Sequence, residues 1–128
     1  MILGTGCDIV SVKDIKDAHK KMGWTVVHRI LGPDEIEVFS QLEDNKVKLA
    51  YLARRFAAKE AFSKAWGTGM TPQLDWRDVQ VLNEANGRPI LSFCKDLKTA
   101  VYSMHRHFHV TISDNDDTVI AFVIMEAE

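Results

Sequence analysis

The sequence predicts an α+β fold in which a small antiparallel sheet packs against a long central helix and shorter helices. The chain has 128 residues, of which 46% are hydrophobic and 27% are charged, and this suits one domain over residues 1–128. A segment near the middle of the chain consists mostly of strong helix formers. Strand-like segments occur at both ends instead of alternating with helices, which favours α+β over a doubly wound parallel sheet.

The N-terminal segment has the pattern of a strand followed by helices. Residues 2–10 mix β-branched and small residues and include Gly4 and Gly6. We therefore expect a strand that another part of the molecule approaches closely, with Asp8 near its end. In residues 11–31 the lysines recur at helical spacing, which predicts one or two short helices.

Two further helices are expected before the middle of the chain. Pro33 ends the preceding region and begins a helix with Asp34 and Glu35 in its first turn, where acidic residues are favourable. This helix is expected to fray near residues 44–45. The strongest helix spans about residues 46–66, because no Gly or Pro interrupts it and Gly67 provides a C-terminal stop.

The C-terminal half predicts two hairpins separated by a helix. Residues 78–83 and 89–93 flank an Asn-Gly turn at residues 86–87. In the first of these strands we expect Val79 and Val81 to point outward. A helix over about residues 95–106 then leads to strands at residues 109–113 and 119–125, which are joined by a polar stretch at 114–117.

Composition excludes several classes of protein. The net charge of -2 and the pI near 6.2 argue against a nucleic-acid partner or an anionic membrane surface. Cys7 and Cys94 are far apart and form no CxxC motif, so a reducing compartment is expected. No apolar run approaches eighteen residues and no basic segment begins the chain, so we expect a soluble cytoplasmic protein.

Two charged residues in the long helix are candidates for chemistry. Glu60 and Lys64 lie four residues apart, on a stripe that also carries Ala53 and Ala57. An exposed ion pair between them would be worth only about 0.3–0.5 kcal/mol. Spacing alone therefore allows a plain surface pair as well as a site.

The motifs around these residues resemble a known family. The string RFAAKEAFSKA at residues 55–65, followed by Gly-Thr-Gly at 67–69, is similar to the signature of 4'-phosphopantetheinyl transferases of the holo-acyl-carrier-protein synthase type. Residues 4–10, GTGCDIV, resemble the opening motif of that family. Further similarity lies in residues 29–31, 86–89 and 109–113, so the resemblance covers essentially the whole chain.

The resemblance implies a transferase with a divalent cation. Such an enzyme moves 4'-phosphopantetheine from coenzyme A to a serine of apo-acyl-carrier protein and releases 3',5'-ADP, in fatty acid biosynthesis. Asp8 and Glu60 are then the catalytic metal ligands for Mg²⁺, with Mn²⁺ as an alternative, and the diphosphate and water complete the octahedron. Either Glu60 or a water on the cation would accept the serine proton. Lys64 would hold a phosphate first and protonate the leaving 3',5'-ADP second.

The resemblance also implies coenzyme A contacts, each with a structural alternative. Arg55 matches a position expected to meet the nucleotide phosphates, but an Arg here would also cover apolar helix surface. The Gly-Thr-Gly loop either contacts phosphate or only caps the helix. The implied coenzyme A set is Arg55, Lys64, Gly67, Thr68, Gly69 and His109. Acyl-coenzyme A is expected to serve as a donor too, because the thiol is remote from the reacting phosphate.

The N-terminal helices carry the expected carrier-protein surface. Their positive charges exceed the negative charges of Asp8, Asp14 and Asp17, and such a face would steer an acidic partner; the alternative is a plain solvated helix. The implied carrier-binding residues are Lys13, Lys16, Lys20, Lys21 and Arg29. Because the family includes a longer type with two fused folds, this single copy is expected to form a homo-oligomer with shared sites, and the resemblance implies a homotrimer with interfacial sites.

Some features do not fit that reading. Asp114 stands where many relatives have a second histidine of the motif that His109 begins, which puts that nucleotide contact in doubt. A histidine-based metal site at His105, His107 and His109 is one rival hypothesis. A non-catalytic carrier-protein or nucleotide-binding module of the same fold is the other. The sequence does not indicate which carrier protein is modified.

Overall fold

A computed structural model describes residues 1–127 and confirms the α+β class. The strands are β1 Ile2–Ser11, β2 Val79–Asn83, β3 Pro89–Phe93, β4 Arg106–Asp114 and β5 Thr118–Ala127. The helices are α1 Val12–Met22, α2 Trp24–Ile30, α3 Pro33–Gln41, α4 Asn45–Trp66 and α5 Lys95–Ser103, with a short 3-10 helix at Trp76–Asp78. Every predicted helix and strand is present, with ends that shift by a few residues.

The main sheet has three antiparallel strands in the order β1-β5-β4. Its register pairs Asp8 with Ala121, and Ala121 with Ile112. Alternate side chains point to opposite faces of a strand, so Val119, Ala121 and Val123 are fully buried on the inner face. The outer face of β5 carries the exposed apolar residues Ile120 and Phe122.

The inner face of the main sheet packs against α4. The contact is unusually close because α4 presents alanines, including Ala57, Ala61 and Ala65, while β1 presents glycines. A Cβ on Gly6 would lie 1.9 Å from the backbone oxygen of Ala61, and one on Gly4 would lie 2.3 Å from that of Ala65. The prediction of a close approach at these glycines is therefore confirmed, and the long helix is the partner.

The second sheet pairs β2 with β3, and here one expectation was wrong. Val79 and Val81 are fully buried instead of facing outward, and Gln80 on the other face is also buried. Both faces of β2 are covered because α3 and α4 pack against it. The Gln80 amide is satisfied there, since its oxygen accepts a hydrogen bond from the backbone of Asp34 at 2.8 Å and its nitrogen donates to the Asp34 carboxylate at 3.0 Å.

A buried ion pair joins the small helices to α4. Lys59 and Glu35 are both inaccessible to solvent, with 2.6 Å between Lys59 Nζ and Glu35 Oε1. Lys59 also donates to the backbone oxygens of Ile30 and Trp76, and Glu35 accepts from the backbone nitrogens of Gly32 and Val81, both at 2.9 Å. Burial lowers the pKa of Lys59 and the Glu35 charge opposes this. With these hydrogen bonds made, the desolvated charges are compensated.

Two element boundaries differ from the prediction for local reasons. Asp44 does not end α3 but begins α4, because its side chain accepts a hydrogen bond from Val47 N at 3.1 Å and serves as the N-cap. Helix α5 ends at Ser103 instead of Arg106. His105 takes a left-handed backbone with φ 53°, which no helix continues through, so Arg106 begins β4.

Candidate active site

Strand β1 and helix α4 bring three charged residues together. Asp8 lies on the β1 face that also carries Gly6 and Val10, towards α4. Glu60 and Lys64 lie one helical turn apart on α4, close to the point where the glycines allow the strand to approach. The tight strand–helix contact therefore places two carboxylates and one ammonium at one partly exposed edge.

Lys64 is directed to the strand. Its Nζ donates to Asp8 Oδ1 at 3.1 Å and to the backbone oxygen of Cys7 at 2.8 Å. The Lys64 side chain is 50% exposed and that of Asp8 is 17% exposed. An ion pair this open to water adds little stability, so its value lies in fixing the position of the Asp8 carboxylate and keeping one cationic group beside it.

Glu60 is held in an environment that disfavours its charge. Burial raises the pKa of Glu60, the negative charge of Asp8 raises it further, and the Lys64 ammonium opposes both. A carboxylate whose pKa is raised by a neighbouring carboxylate lies in an excess of negative potential. Such a pair is suited to bind a proton or a hard cation.

The Gly-Thr-Gly loop closes α4. Gly67 takes a left-handed conformation with φ 104°, and the backbone nitrogens of Gly67 and Gly69 both donate to Ser63 O at 3.1 Å. These two amides thus satisfy the helix C-terminus and are not available to a phosphate. The hydroxyl of Thr68 donates to Gly69 O at 2.8 Å.

Arg55 does not lie at this edge. It is 4% exposed, its Nε donates to Val81 O at 3.2 Å and its Nη2 donates to Asn83 Oδ1 at 2.7 Å. The guanidinium also lies 3.8 Å from the centre of the Tyr51 ring. Because Nε and Nη2 are engaged inside the chain, Arg55 anchors β2 to α4, in keeping with the structural alternative, and the phosphate contact stays a prediction.

His109 faces away from Asp8 within one chain. It lies on the exposed outer face of the main sheet, where its Nε2 is 2.6 Å from Glu126 Oε1. That hydrogen bond lowers the pKa of Glu126. Asp8 belongs to the inner face of the same sheet, so a single copy of the chain does not bring His109 to the Asp8–Glu60 pair.

Residues 4–123 match the 4'-phosphopantetheinyl transferase superfamily, which is nearly the whole chain. The chain belongs to this superfamily. A protein from Polynucleobacter necessarius named holo-[acyl-carrier-protein] synthase is 42% identical over 127 residues, covering 98% of this chain and 93% of that protein. One of the same name from Halalkalibacterium halodurans is 41% identical, covering 98% and 97%.

Solved structures of superfamily members share the fold. The crystal structure of holo-[acyl-carrier-protein] synthase from Neisseria meningitidis has a TM-score of 0.90 and 39% identity, covering 98% of this chain and 99% of that one. The Bacillus anthracis enzyme, solved in complex with CoA (3',5'-ADP), has a TM-score of 0.84 and 32% identity, covering 100% and 99%. These similarities extend over both β1 and α4, the two elements that carry the charged edge.

Asp114, the position at which this chain differs from the family motif, forms an ion pair with α4. Asp114 Oδ2 lies 3.3 Å from Arg54 Nη1, with both side chains partly exposed. A cation from α4 therefore approaches the position where many relatives have a histidine. Sequence reasoning missed Arg54 because its partner lies 60 residues away.

The basic residues of the N-terminal helices do not form one uniform face. Lys13, Lys16 and Lys20 line the same groove between α1, the start of α4 and the β4–β5 turn. Arg29 lies on α2 in a different recess, beside Arg77. Lys13 also contacts Asp17 at 3.4 Å in a highly exposed pair.

The histidine hypothesis is not supported. Within residues 1–127, no three His, Cys, Asp or Glu side chains are grouped as a metal set. His107 and His109 belong to β4, whereas His105 lies in the left-handed turn before it. In that same described range, no helix combines the length and apolar character that a bilayer crossing requires.

The Lys59–Glu35 pair is the main feature that the sequence did not reveal. Lys59 was treated only as part of the motif, since charged residues are seldom fully buried. The alanines on either side of it, Ala57, Ala58 and Ala61, are all fully buried. A lysine within such a run of small residues is the signal that could have indicated a buried, paired charge.

Proposed function

We propose that this chain is a holo-[acyl-carrier-protein] synthase. It transfers 4'-phosphopantetheine from coenzyme A to a serine of apo-acyl-carrier protein and releases 3',5'-ADP. The observation that carries the proposal is the edge formed by Asp8, Glu60 and Lys64, in a chain about 40% identical to proteins of that name along nearly its full length. The N-terminal and central motifs of the resemblance meet at this edge.

The carboxylate pair suits a divalent cation. Asp8 and Glu60 offer hard oxygen ligands, and the raised pKa of Glu60 beside Asp8 reflects negative charge that a cation would balance. Mg²⁺ commonly takes one or two protein carboxylates and completes its shell with substrate phosphates and water, and Mn²⁺ accepts similar ligands. When bound, the cation would neutralise charge on the diphosphate of coenzyme A.

The side chains at this edge are suited to the bond-making and proton-transfer steps of the reaction. The serine oxygen of the carrier protein forms a bond to the phosphorus nearest pantetheine, and the bond from that phosphorus to 3',5'-ADP breaks. The serine proton would pass either to the Glu60 carboxylate or to a water on the cation, since both lie at this edge.

Lys64 is the group suited to interact with the leaving 3',5'-ADP. Its ammonium is tied to Asp8 and the Cys7 carbonyl but is still half exposed, so it can hold a phosphate as a point charge. As the bond to 3',5'-ADP breaks, negative charge grows on the leaving phosphate. Lys64 stabilises that charge and can supply a proton to it.

The proposed coenzyme A contacts differ from those expected from the sequence at two residues, Arg55 and His109. Lys64, Thr68 and the exposed loop at 67–69 stay as candidate contacts, although the Gly67 and Gly69 amides cap α4. Arg55 is reassigned to a structural role because it is buried. His109 contacts substrate only if a second copy of the chain presents it.

We also propose that the chain acts as a homotrimer with sites shared between copies. The outer face of the main sheet supports this, because Ile9, Ile120 and Phe122 are 66%, 44% and 36% exposed there and adjacent strands place them side by side. A contiguous apolar face on a sheet is typical of an interaction surface. Its burial by further copies would also bring His109 near a neighbouring edge.

The partner protein is acidic in this proposal. Lys13, Lys16, Lys20 and Lys21 on α1 and Arg29 on α2 are exposed, and complementary charge would raise the association rate and set orientation. The process served is fatty acid biosynthesis in the cytoplasm.

The proposal is tested by the intact mass of apo-acyl-carrier protein after incubation with this protein, coenzyme A and Mg²⁺. We expect a gain of one phosphopantetheine that a chelator abolishes and added Mg²⁺ restores. An unchanged mass with carrier proteins that a related synthase modifies would overturn the proposal in favour of a binding module. A gain that persists in chelator would keep the transferase and remove the metal.

A further inference from the structure

A second concave site lies at the opposite side of α5 from the Gly-Thr-Gly loop. Strand β3, helix α5 and the start of β4 enclose a cavity of about 540 Å³, a volume within the range of small-molecule sites. It shares no lining residue with the edge formed by Asp8, Glu60 and Lys64. The proposed transfer reaction makes no use of it.

The polar side of this cavity is cationic. Lys98 and Arg106 contribute permanent positive charges, and Ser92, Tyr102, His105 and His107 add hydroxyl and imidazole groups. No Asp or Glu of residues 1–127 is among the lining residues. In a chain with 18 acidic and 16 basic residues, a cavity whose charged lining residues within 1–127 are all cations favours an anion.

Arg106 has an unused donor at this cavity. Its Nη1 donates to Met104 O at 2.9 Å, but its Nε is buried and has no hydrogen-bond partner among residues 1–127. Buried donors are nearly always paired in native proteins, and an exception calls for an explanation such as a missing ligand. A ligand oxygen reaches this Nε only when the Arg106 side chain shifts to open it to the cavity; the Nε–H and Nη2–H of the guanidinium then match the two oxygens of a carboxylate or phosphate.

The backbone before Arg106 is constrained. His105 has φ 53°, a left-handed conformation that is unfavourable for a residue with a Cβ. The turn is closed by hydrogen bonds from Met104 N to Ala100 O at 3.0 Å and from His105 N to Tyr102 O at 3.1 Å. This turn directs the chain back along α5 and presents Arg106 to the cavity.

The other side of the cavity is apolar and rigid. Leu91, Phe93, Val101 and Phe108 line it. The rings of Phe93 and Phe108 are 5.2 Å apart, and Phe108 also packs against Phe62 and Trp66 of α4, at 5.0 and 6.1 Å. A wall supported by the core in this way needs little reorganisation to receive an apolar group.

We propose that this cavity is a binding site for a small amphipathic anion, with a carboxylate or phosphate head at Arg106 and Lys98 and an apolar body against Phe93 and Phe108. Both kinds of head present the same paired oxygens to the guanidinium. Phe108 contacts Trp66, the last residue of α4, so a bound anion would lie one aromatic contact away from the helix that carries Glu60.

The test uses sodium octanoate as the probe and the full chain without coenzyme A. Binding is followed by calorimetry and by the side-chain Nε–H signal of Arg106 in nitrogen–proton correlation spectra, assigned by its loss in Arg106→Gln. We expect saturable binding with a shift of that signal. The cationic analogue octylamine is expected not to bind, and inorganic phosphate is expected to bind more weakly than octanoate because it lacks the apolar body.

Variants locate the site. Arg106→Gln is expected to weaken octanoate binding about tenfold, the usual cost of losing a charge-assisted hydrogen bond, and Lys98→Gln about threefold. Lys95→Gln on the same helix is the matched control, because Lys95 does not line the cavity, and should leave binding unchanged. Saturating coenzyme A is expected not to displace octanoate.

Four results would overturn the proposal. Octanoate binding that is absent or unsaturable would show that the cavity holds no such ligand. Equal binding by wild type and both Arg106→Gln and Lys98→Gln would locate the ligand elsewhere, and displacement by coenzyme A would assign it to the transferase site. If inorganic phosphate bound as tightly as octanoate, the apolar wall would have no role and the amphipathic class would be wrong.

Discussion

At the scale of single residues, the chemistry depends on a carboxylate, Glu60, whose charge is disfavoured by burial and by the nearby Asp8 carboxylate. Asp8 and Glu60 come from different elements, and Lys64 offsets only part of their negative potential. The arrangement costs stability in the isolated chain and becomes favourable when a proton or a cation is bound. A local cost of this kind is common at functional sites.

The first residue-scale prediction concerns turnover. Glu60→Gln and Asp8→Asn each replace a charged carboxylate ligand with a neutral amide of the same size. Turnover should therefore fall by at least about 100-fold. The fold should persist in circular dichroism spectra. The control Glu43→Gln alters an exposed glutamate and should keep full activity. Near-normal activity in both site variants would contradict the assigned metal site.

The second residue-scale prediction concerns the titration of Glu60 in the absence of divalent cations. We expect carbon NMR to give a Glu60 pKa above the ordinary value of 4.5. Asp8→Asn should lower the Glu60 pKa, because one cause of the shift is removed, whereas the control Asp14→Asn should not. An unchanged midpoint in Asp8→Asn would mean that the two carboxylates do not interact.

The raised pKa of Glu60 determines how stability and activity depend on pH. A carboxyl whose pKa is raised in the folded state holds its proton more tightly than in the unfolded chain. Its contribution to stability is therefore present at low pH and is lost as pH rises through the Glu60 pKa. Activity should show the opposite trend and fall at low pH, because the proton competes with the cation for the carboxylate that the reaction needs.

At the scale of elements, the site depends on how closely β1 approaches α4. Two glycines on the strand and the alanines on the helix remove the side-chain volume that would otherwise separate them. On its other side α4 is fixed by the Lys59–Glu35 pair, which also holds the end of α2, the start of α3 and the middle of β2. The helix that carries Glu60 is thus constrained on both faces.

The element-scale prediction is that Gly6→Ala separates the strand from the helix. The new Cβ would lie 1.9 Å from Ala61 O and 2.8 Å from Ala65 N, so β1 must move. We expect a loss of about 1–3 kcal/mol in the free energy of unfolding, as for other overpacked sites. Turnover should fall further than this stability loss explains, because Asp8 moves away from Glu60.

The control for this prediction lies on the same strand. Thr5 is exposed on the outer face, so Thr5→Ala should change the free energy of unfolding, measured by urea denaturation, by less than about 0.5 kcal/mol. If Gly6→Ala were as stable and as active as Thr5→Ala, the close approach would not be required.

At the scale of the whole molecule, the main sheet has one covered face and one open face. The inner face packs on α4, whereas the outer face exposes Ile9, Ile120 and Phe122. Antiparallel sheets often leave one face to solvent, but that face is then usually polar. This apolar outer face favours assembly, and His109 on the same face would be carried to a neighbouring copy.

The prediction at this scale is that Phe122→Glu yields a monomer. A charge at the centre of a buried apolar interface is strongly unfavourable, so light scattering after size exclusion should show the mass of one chain in place of three. Activity should fall with the mass if sites are shared. Tyr102→Glu, which changes a 70% exposed aromatic residue outside the sheet, should leave the mass unchanged.

The wild-type mass decides the underlying proposal. A monomer with full activity at micromolar concentration would contradict both the trimer and the shared sites. A trimer that Phe122→Glu does not dissociate would place the interface on another surface.

The sequence alone determined the elements and the family. Periodicity, proline and glycine positions fixed the helices and strands within a few residues, because these signals act locally. The motifs at residues 4–10 and 55–69 were long enough to indicate the superfamily to which the chain belongs, and they named Asp8, Glu60 and Lys64 as candidates.

Only the tertiary structure decided which side chains face the site and which are buried. In the sequence Arg55 is a substrate or surface group and Lys59 is only part of the motif, yet both lie inside the chain with hydrogen-bond partners supplied by distant segments. The outward orientation expected for Val79 and Val81 was wrong because α3 and α4 cover both faces of β2. Burial depends on what packs against an element from elsewhere in the chain, and a local pattern does not contain that information.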